Sequence, residues 1–210
     1  MVDLDKSLVI GVHDGLTYLP FTLRNYAQLP VDEKIFVLDH CRPFSLYEKT
    51  IRHFVPDAKI IRKERNETKY RPCETFSLGL SKAQGNILYV SAEDVILDPK
   101  NFDEKYWVDS TVGMVDFRYY QCDPFKFNFH VAWDTLLTKV SDKLGYGSVR
   151  SGLYGIRRDL LDKIGGLKDS PTEEDWLRKD VVQLGYSHVH IKTTRNLHLR
   201  PSYDKTRQLM

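Results

Sequence analysis

Ser7-Leu8-Val9-Ile10-Gly11-Val12-His13-Asp14-Gly15 decides how this chain is read. Six residues, mostly apolar and β-branched, run without a polar interruption and then stop at a polar turn. An alternating pattern would mark a strand wet on one face; an unbroken one marks a strand covered on both, as in a parallel sheet. The same unit recurs. Lys34 to Asp39 and Asn86 to Ser91 are further strands, and Ala58 to Arg62 is a shorter one. Helical spacing fills the gaps, from Pro20 to Ala27, Ser45 to Phe54 and Cys73 to Ala83, the last stopping before Gly85. Strands alternating with helices imply crossover connections and a parallel sheet.

Beyond residue 100 the pattern loosens. Thr111 to Tyr120 reads as a strand, and Phe125 to Val140 is aromatic-rich without a clean period. Ser151 to Arg157 is a short glycine-punctuated strand, and Arg158 to Ile164 a helix capped by Gly165. Thr172-Glu173-Glu174-Asp175-Trp176 opens a helix through Leu184, and Ser187 to Ile191 is the final strand. With no repeat, low-complexity segment or linker, the expectation is one domain over 1–210. Its sheet is expected to be parallel and flanked by helices.

Composition narrows the function. Thirty-one basic against 29 acidic residues leave a net charge of +2, so bulk electrostatics make no case for nucleic acid. No apolar run is long enough to span a bilayer, which leaves only peripheral membrane contact open. The N-terminus lacks a signal core, and Cys41, Cys73 and Cys122 are odd in number without metal-type spacing. They read as free thiols of a reducing cytoplasm, so the expected location is cytoplasmic. A glycine-rich dinucleotide fingerprint, a P-loop, a nucleophile elbow and a zinc-protease helix motif are all missing, which removes the usual marks of their chemistries.

In doubly wound sheets ligands gather at the carboxyl ends of the strands. Here those ends carry Val12, His13 and Asp14, then Asp39 and His40, then Ser91 to Asp94. Asp39 is placed either to accept a hydrogen bond from a nucleotide base or ribose, or to cap the following turn. Glu93 and Asp94 are either ligands for a hard cation, which needs few protein oxygens when a diphosphate supplies others, or an acidic turn. Glu173, Glu174 and Asp175 either hold a general base or only complement a helix N-terminus. Trp176 beside them stacks on a sugar face or joins the core. His198 is an imidazole within reach of the same cation or an ordinary histidine. Lys69, Arg71, Arg157 and Arg158 are phosphate-pairing candidates or surface charges.

Taken in order, these pieces resemble a family 2-type glycosyltransferase of the GT-A fold. The opening strand and turn resemble the family's V-I-P-V-Y-N, and Phe36 to Arg42 its V-V-D-D-G-S. Ser77 to Asn86 resembles the segment before the metal strand. Val90-Ser91-Ala92-Glu93-Asp94 aligns with the L-D-A-D-D metal motif, with Ser91 in place of the first acid. Gly152 through Arg157-Arg158, Gly165-Gly166-Leu167 and Glu174-Asp175-Trp176 resemble the late G-x-x-x-x-R-R, GG-F and ED-W blocks, and His198 the late histidine.

The resemblance implies a mostly parallel (mixed) central sheet flanked by helices, with a Rossmann-like nucleotide-sugar-binding half over 1–100 and an acceptor and catalytic half over 101–210. It further implies an inverting, metal-assisted hexosyltransferase-type enzyme. It would move a sugar from a UDP-, GDP- or dTDP-sugar to a hydroxyl of a glycan, lipid or protein-linked acceptor. Asp175 with Glu174 would be catalytic; Val12, Asp14, Asp39, Lys69 and Arg71 would contact the nucleotide. Glu93, Asp94 and His198 would hold Mn²⁺ or Mg²⁺, and Trp176, Gly152 and Arg157 would meet the acceptor or sugar. Two alternatives remain: a GT-A-like domain that binds nucleotide or glycan without turnover, and a sugar-phosphate nucleotidyltransferase. The second lacks its glycine-rich first loop.

Overall fold

The computed structural model describes residues 5–13, 16–64, 72–123, 128–130, 153–168 and 173–199. Strands β1 (Lys6–Val12), β2 (Glu33–Asp39), β3 (Lys59–Lys63) and β4 (Ile87–Ala92) alternate with helices α1 (Leu19–Ala27), α2 (Phe44–Phe54) and α3 (Pro72–Leu80). These four strands are mutually parallel in the order β3-β2-β1-β4. Their continuous apolar sequence has the cause inferred above, since both faces of β1 are covered. Leu8, Ile10 and Val12 pack with Leu19, Leu23 and Tyr26 of α1 and Tyr47 and Ile51 of α2. Val9 points the other way, with Ile35 and Val37 of β2, onto Phe76 and Leu80 of α3.

The second half adds β5 (Val95–Ile96), two 3₁₀ turns (Pro99–Phe102 and Glu104–Trp107), β6 (Val112–Asp123), β7 (Asn128–His130) and β8 (Leu153–Arg157). Then follow α4 (Arg158–Ile164), α5 (Glu173–Gln183) and β9 (Ser187–Leu199). They extend the sheet to β3-β2-β1-β4-β8-β6-β9-β5, with β7 on β6. β8 is antiparallel to both β4 and β6, while β6 and β9 are parallel. The sheet is therefore mixed: a four-stranded parallel block from the first half and a parallel β6–β9 pair from the second, joined through antiparallel β8. Leu160 and Leu161 of α4 and Leu177 and Val181 of α5 extend the cluster on the α3 face. As expected, Gly165 ends α4; at φ +83° its N–H reaches the Leu161 and Asp162 carbonyls.

Two elements, β9 and β5, depart most from expectation. β9 was expected to end at Ile191 but runs on to Leu199. The polar stretch after Ile191 looks like a tail, yet Asn196 within it is fully buried. Its Oδ1 accepts the Asp98 N–H at 2.9 Å and the Asn101 side-chain amide at 2.5 Å, so a polar residue serves as core. β5 is too short to leave a period of its own and is held by α1. Asn25 exchanges two hydrogen bonds with the Leu97 backbone, at 2.8 and 2.9 Å. Among the described residues, no helix is long and apolar enough to cross a membrane.

Candidate active site

Strand order reverses between β1 and β4, whose neighbours lie on opposite sides, and the chain crosses that point at Glu93 and Asp94. The Glu93 N–H bonds the Gly11 carbonyl at 3.1 Å, and the Glu93 carbonyl accepts the Thr22 hydroxyl at 2.8 Å. The Tyr26 hydroxyl lies 2.7 Å from both the Ala92 and Val95 carbonyls. Burial, reinforced by the nearby charges of Asp94 and Glu93, pushes the Tyr26 phenol well above its ordinary pKa. It therefore stays protonated and keeps donating. This acidic turn is a braced one.

The two carboxylates do different things. Glu93 is nearly buried, and its Oε1 accepts the His13 N–H at 3.0 Å, tying the ends of β1 and β4 together. Asp94 faces β9, where the register pairs Val95 with His198 and puts His198 Nε2 2.9 Å from Asp94 Oδ2. The imidazole stands edge-on to Tyr119, centroids 5.4 Å apart. His198 reaches this position only because β9 continues past Ile191. Among the described residues no three His, Cys, Asp or Glu side chains converge as a ligand set. What is present is a two-donor pair, Asp94 and His198. One carboxylate and one imidazole fit a divalent cation that takes its other oxygens from water and phosphates.

Asp39 is not the open acceptor that its strand-end position suggested. It is fully buried; Thr75 Oγ1 lies at 2.5 Å, His40 Nδ1 at 2.7 Å and Lys63 Nζ at 3.3 Å from its oxygens. Burial alone would push its carboxyl up, but the Thr75 and His40 hydrogen bonds and the Lys63 charge outweigh it and hold the pKa below the ordinary value. The carboxylate organises the strand end instead of meeting solvent. His40, left-handed at φ +61°, and His13, whose Nδ1 lies 3.1 Å from the Asp39 carbonyl oxygen, form an edge-on pair there. Beside them opens a cleft of ≈ 950 Å³ lined by His40, Arg42, Phe44, Arg62 and Lys63 among others. The Arg62 guanidinium lies 4.0 Å over the Phe44 ring.

Arg157 requires a correction. It pairs in register with Ile87, the first residue of β4, and so stands at the end of the sheet remote from Glu93. Its guanidinium is spent on the carbonyls of Val112 and Trp107 at 2.7 Å and of Asp109 at 3.1 Å, closing the start of β6. An acceptor role does not fit that placement. Arg158 is likewise engaged, with Gly85 O at 2.8 Å. Trp176 is 46% exposed, so it is not core; Lys179 Nζ lies 4.9 Å and Lys168 Nζ 5.7 Å from its ring centroid. Val12 is buried at the end of β1, its carbonyl 3.4 Å from the Cys41 thiol. Glu174 and Asp175 belong to the first turn of α5, with their side chains outside the described residues. Asp14, Lys69, Arg71 and Gly152 also lie outside them.

Sequence reasoning missed Lys63, Thr75 and the Arg62–Phe44 stack. Lys63 ends β3 and was recoverable from the strand-end rule; Thr75 sits inside a helix and carries no sequence signal.

No protein-family model matches the sequence, and no curated protein does. Among the solved structures similar to this chain are three glycosyltransferase complexes. The mannosyltransferase PcManGT from Pyrobaculum calidifontis, in complex with GDP-Man and Mn²⁺, superposes with a TM-score of 0.71 at 16% identity, covering 99% of this chain and 62% of that one. GalNAc-T7 with UDP, GalNAc and Mn²⁺ gives 0.69 at 15% identity, over 94% and 44% of the two chains. S. aureus TarS 1-349 with UDP-GlcNAc gives 0.71 at 12% identity, over 99% and 62%. The chain thus spans 62% or less of the length of each of these three structures. Its fold is the GT-A glycosyltransferase fold.

Proposed function

We propose that the chain is a nucleotide-sugar glycosyltransferase, passing a sugar from a nucleoside-diphosphate donor to an acceptor hydroxyl with inversion. The observation that carries this reading is the braced Glu93–Asp94 turn at the strand-order reversal, with His198 at 2.9 Å from Asp94 and an open cleft adjoining at the ends of β2 and β3. The nucleotide belongs in that cleft, where Arg62 offers positive charge near the phosphates and Phe44 an aromatic face. Asp94 and His198, with Glu93 beside them, would hold Mn²⁺ or Mg²⁺, and the cation would neutralise charge developing on the leaving diphosphate.

Asp175, with Glu174 beside it, opens the helix over the second half and is assigned the base. It takes the proton of the acceptor hydroxyl as that oxygen bonds to the anomeric carbon. The bond from that carbon to the diphosphate oxygen breaks on the opposite face, which inverts the centre. Trp176, exposed on the next position, offers a ring against which an acceptor sugar can stack. Asp175→Asn is expected to abolish transfer while nucleotide binding stays within a few-fold of the unmodified chain. Full turnover in that variant, measured by release of the nucleoside diphosphate, would overturn the assignment.

A second reading is favoured by Ser91, which stands where the resembled motif has its first acid and is buried. In that reading the chain binds donor but does not turn it over. Mn²⁺-dependent donor binding, with neither transfer nor donor hydrolysis against a panel of UDP-, GDP- and dTDP-sugars, would select it.

A further inference from the structure

Away from the proposed transfer site, Asp116 of β6 lies beside two histidines of β9. The parallel register sets Asp116 opposite His190 and Met114 opposite His188, so all three share one face of the sheet. Val189 and Ile191 between and beyond the histidines pack on the other face. Asp116 is fully buried; the side chains of His188 and His190 are 12% and 21% exposed. His188 Nε2 lies 2.5 Å from Asp116 Oδ2, and His190 Nδ1 bonds Oδ1. Asp116 has no lysine or arginine partner among the described residues. Burial would raise its carboxyl, but the two imidazoles hold its pKa below the ordinary value.

That arrangement fixes which nitrogen of each ring carries a proton toward Asp116. An ionised carboxylate only accepts, so each ring must present N–H to it. The nitrogens left to coordinate, once deprotonated, are Nδ1 of His188 and Nε2 of His190, and neither has a partner among the described residues. Metal-binding histidines are oriented in this way, the distal N–H given to a carboxylate that fixes the ring and raises its basicity. Two residues apart on a strand, the histidines emerge on one side about 6.6 Å apart, a separation two imidazoles can close onto one ion. The first half of β9, from Ser187 to Lys192, has β6 on one side and no described strand on the other, and the two imidazoles keep a small part of their surface exposed. A cation bound to the rings would lie close to the buried Asp116 carboxylate and offset its charge.

We propose that His188 and His190, oriented by the buried Asp116, form a two-imidazole site for a borderline divalent cation such as Zn²⁺, its remaining positions held by water. Imidazole suits Zn²⁺, Ni²⁺ and Cu²⁺, whereas carboxylate and water suit Mg²⁺ and Mn²⁺. With two imidazoles against the one imidazole and one carboxylate of the Asp94 pair, the site favours Zn²⁺ more strongly, and it is independent of the proposed transfer reaction. Protons compete with the cation for both rings, so affinity falls on acidification.

The test is calorimetric titration of the metal-free full chain with Zn²⁺ in nucleotide-free buffer. One equivalent is expected to bind. Asp116→Asn should weaken that binding roughly 10–100-fold, and His188→Gln and His190→Gln at least as much. His198→Gln should leave it unchanged. Absence of uptake, survival of uptake in His190→Gln, or its loss in His198→Gln would each overturn the proposal. Should the buried Asp116→Asn chain fail to fold, imidazole ¹⁵N NMR of the unmodified protein decides. Zinc should shift Nδ1 of His188 and Nε2 of His190, and a shift confined to other histidines refutes the site.

Discussion

Asp39 shows what a single buried carboxylate can demand of its neighbours. A charge removed from water is tolerated only with donors around it, and Thr75, His40 and Lys63 supply them from α3, the strand end and β3. Its folded pKa lies below the ordinary value, as does that of Asp116. In acid the unfolded chain therefore takes up protons before the folded one does. The stability these groups contribute is present above the unfolded aspartate pKa of about 3.9 and is lost as pH falls through the lower folded values. Urea unfolding between neutral pH and pH 3 should show that decline. Thr75→Val, which removes a donor from a buried acceptor, should cost about 1–3 kcal/mol at neutral pH. The difference between Thr75→Val and the unmodified chain should narrow as Asp39 becomes protonated. A deficit that stays constant with pH would mean that Thr75 acts through packing alone.

At the scale of elements, α3 lies close on the sheet because Gly79 has no side chain. A Cβ there would overlap Val9 Cγ1 and lie 2.9 Å from Val37 Cγ2, both fixed in the centre of the sheet. Gly79→Ala cannot be absorbed by a rotamer change and must lift the helix. A loss of about 1–3 kcal/mol is expected, the usual cost of overpacking, despite the gain in helix propensity. Because the same helix carries Thr75, this substitution should also loosen the Asp39 cluster. Hydrogen exchange at the backbone amides of β2 and β3 should rise more than at β6, and uniform exchange would separate the two effects. β9 has a comparable double duty, bringing His188 and His190 to Asp116 at one end and His198 to Asp94 at the other.

For the molecule as a whole, ligand binding at the reversal point of the sheet should appear as thermal stability. A nucleoside diphosphate with Mn²⁺ at about 100 times its Kd should add about 2.7 kcal/mol. For a domain of this size each kilocalorie moves Tm by roughly 2–4 °C, so the midpoint should rise by about 5–11 °C. Asp94→Asn should remove the manganese-dependent part of that rise. A midpoint unmoved by UDP, GDP and dTDP with Mn²⁺ would remove the basis for a nucleotide-sugar activity.

What the sequence determined by itself was the parallel block and the place to look for a site. Unbroken apolar strands such as Leu8 to Val12 need cover on both faces, and a sheet so covered offers its strand ends to ligands. The late helix and its Gly165 stop were also legible, because caps and periodicity are local. Tertiary structure alone decided which polar residues those ends would use. Asp39 and Asn196 went inside because distant partners satisfy them, and Arg157 was drawn to carbonyls at the far end of the sheet. His198 met Asp94, and His188 and His190 met Asp116, through strand register across 104, 72 and 74 residues of chain. Periodicity reports only which face a residue takes; the partner it finds there depends on which strand lies alongside.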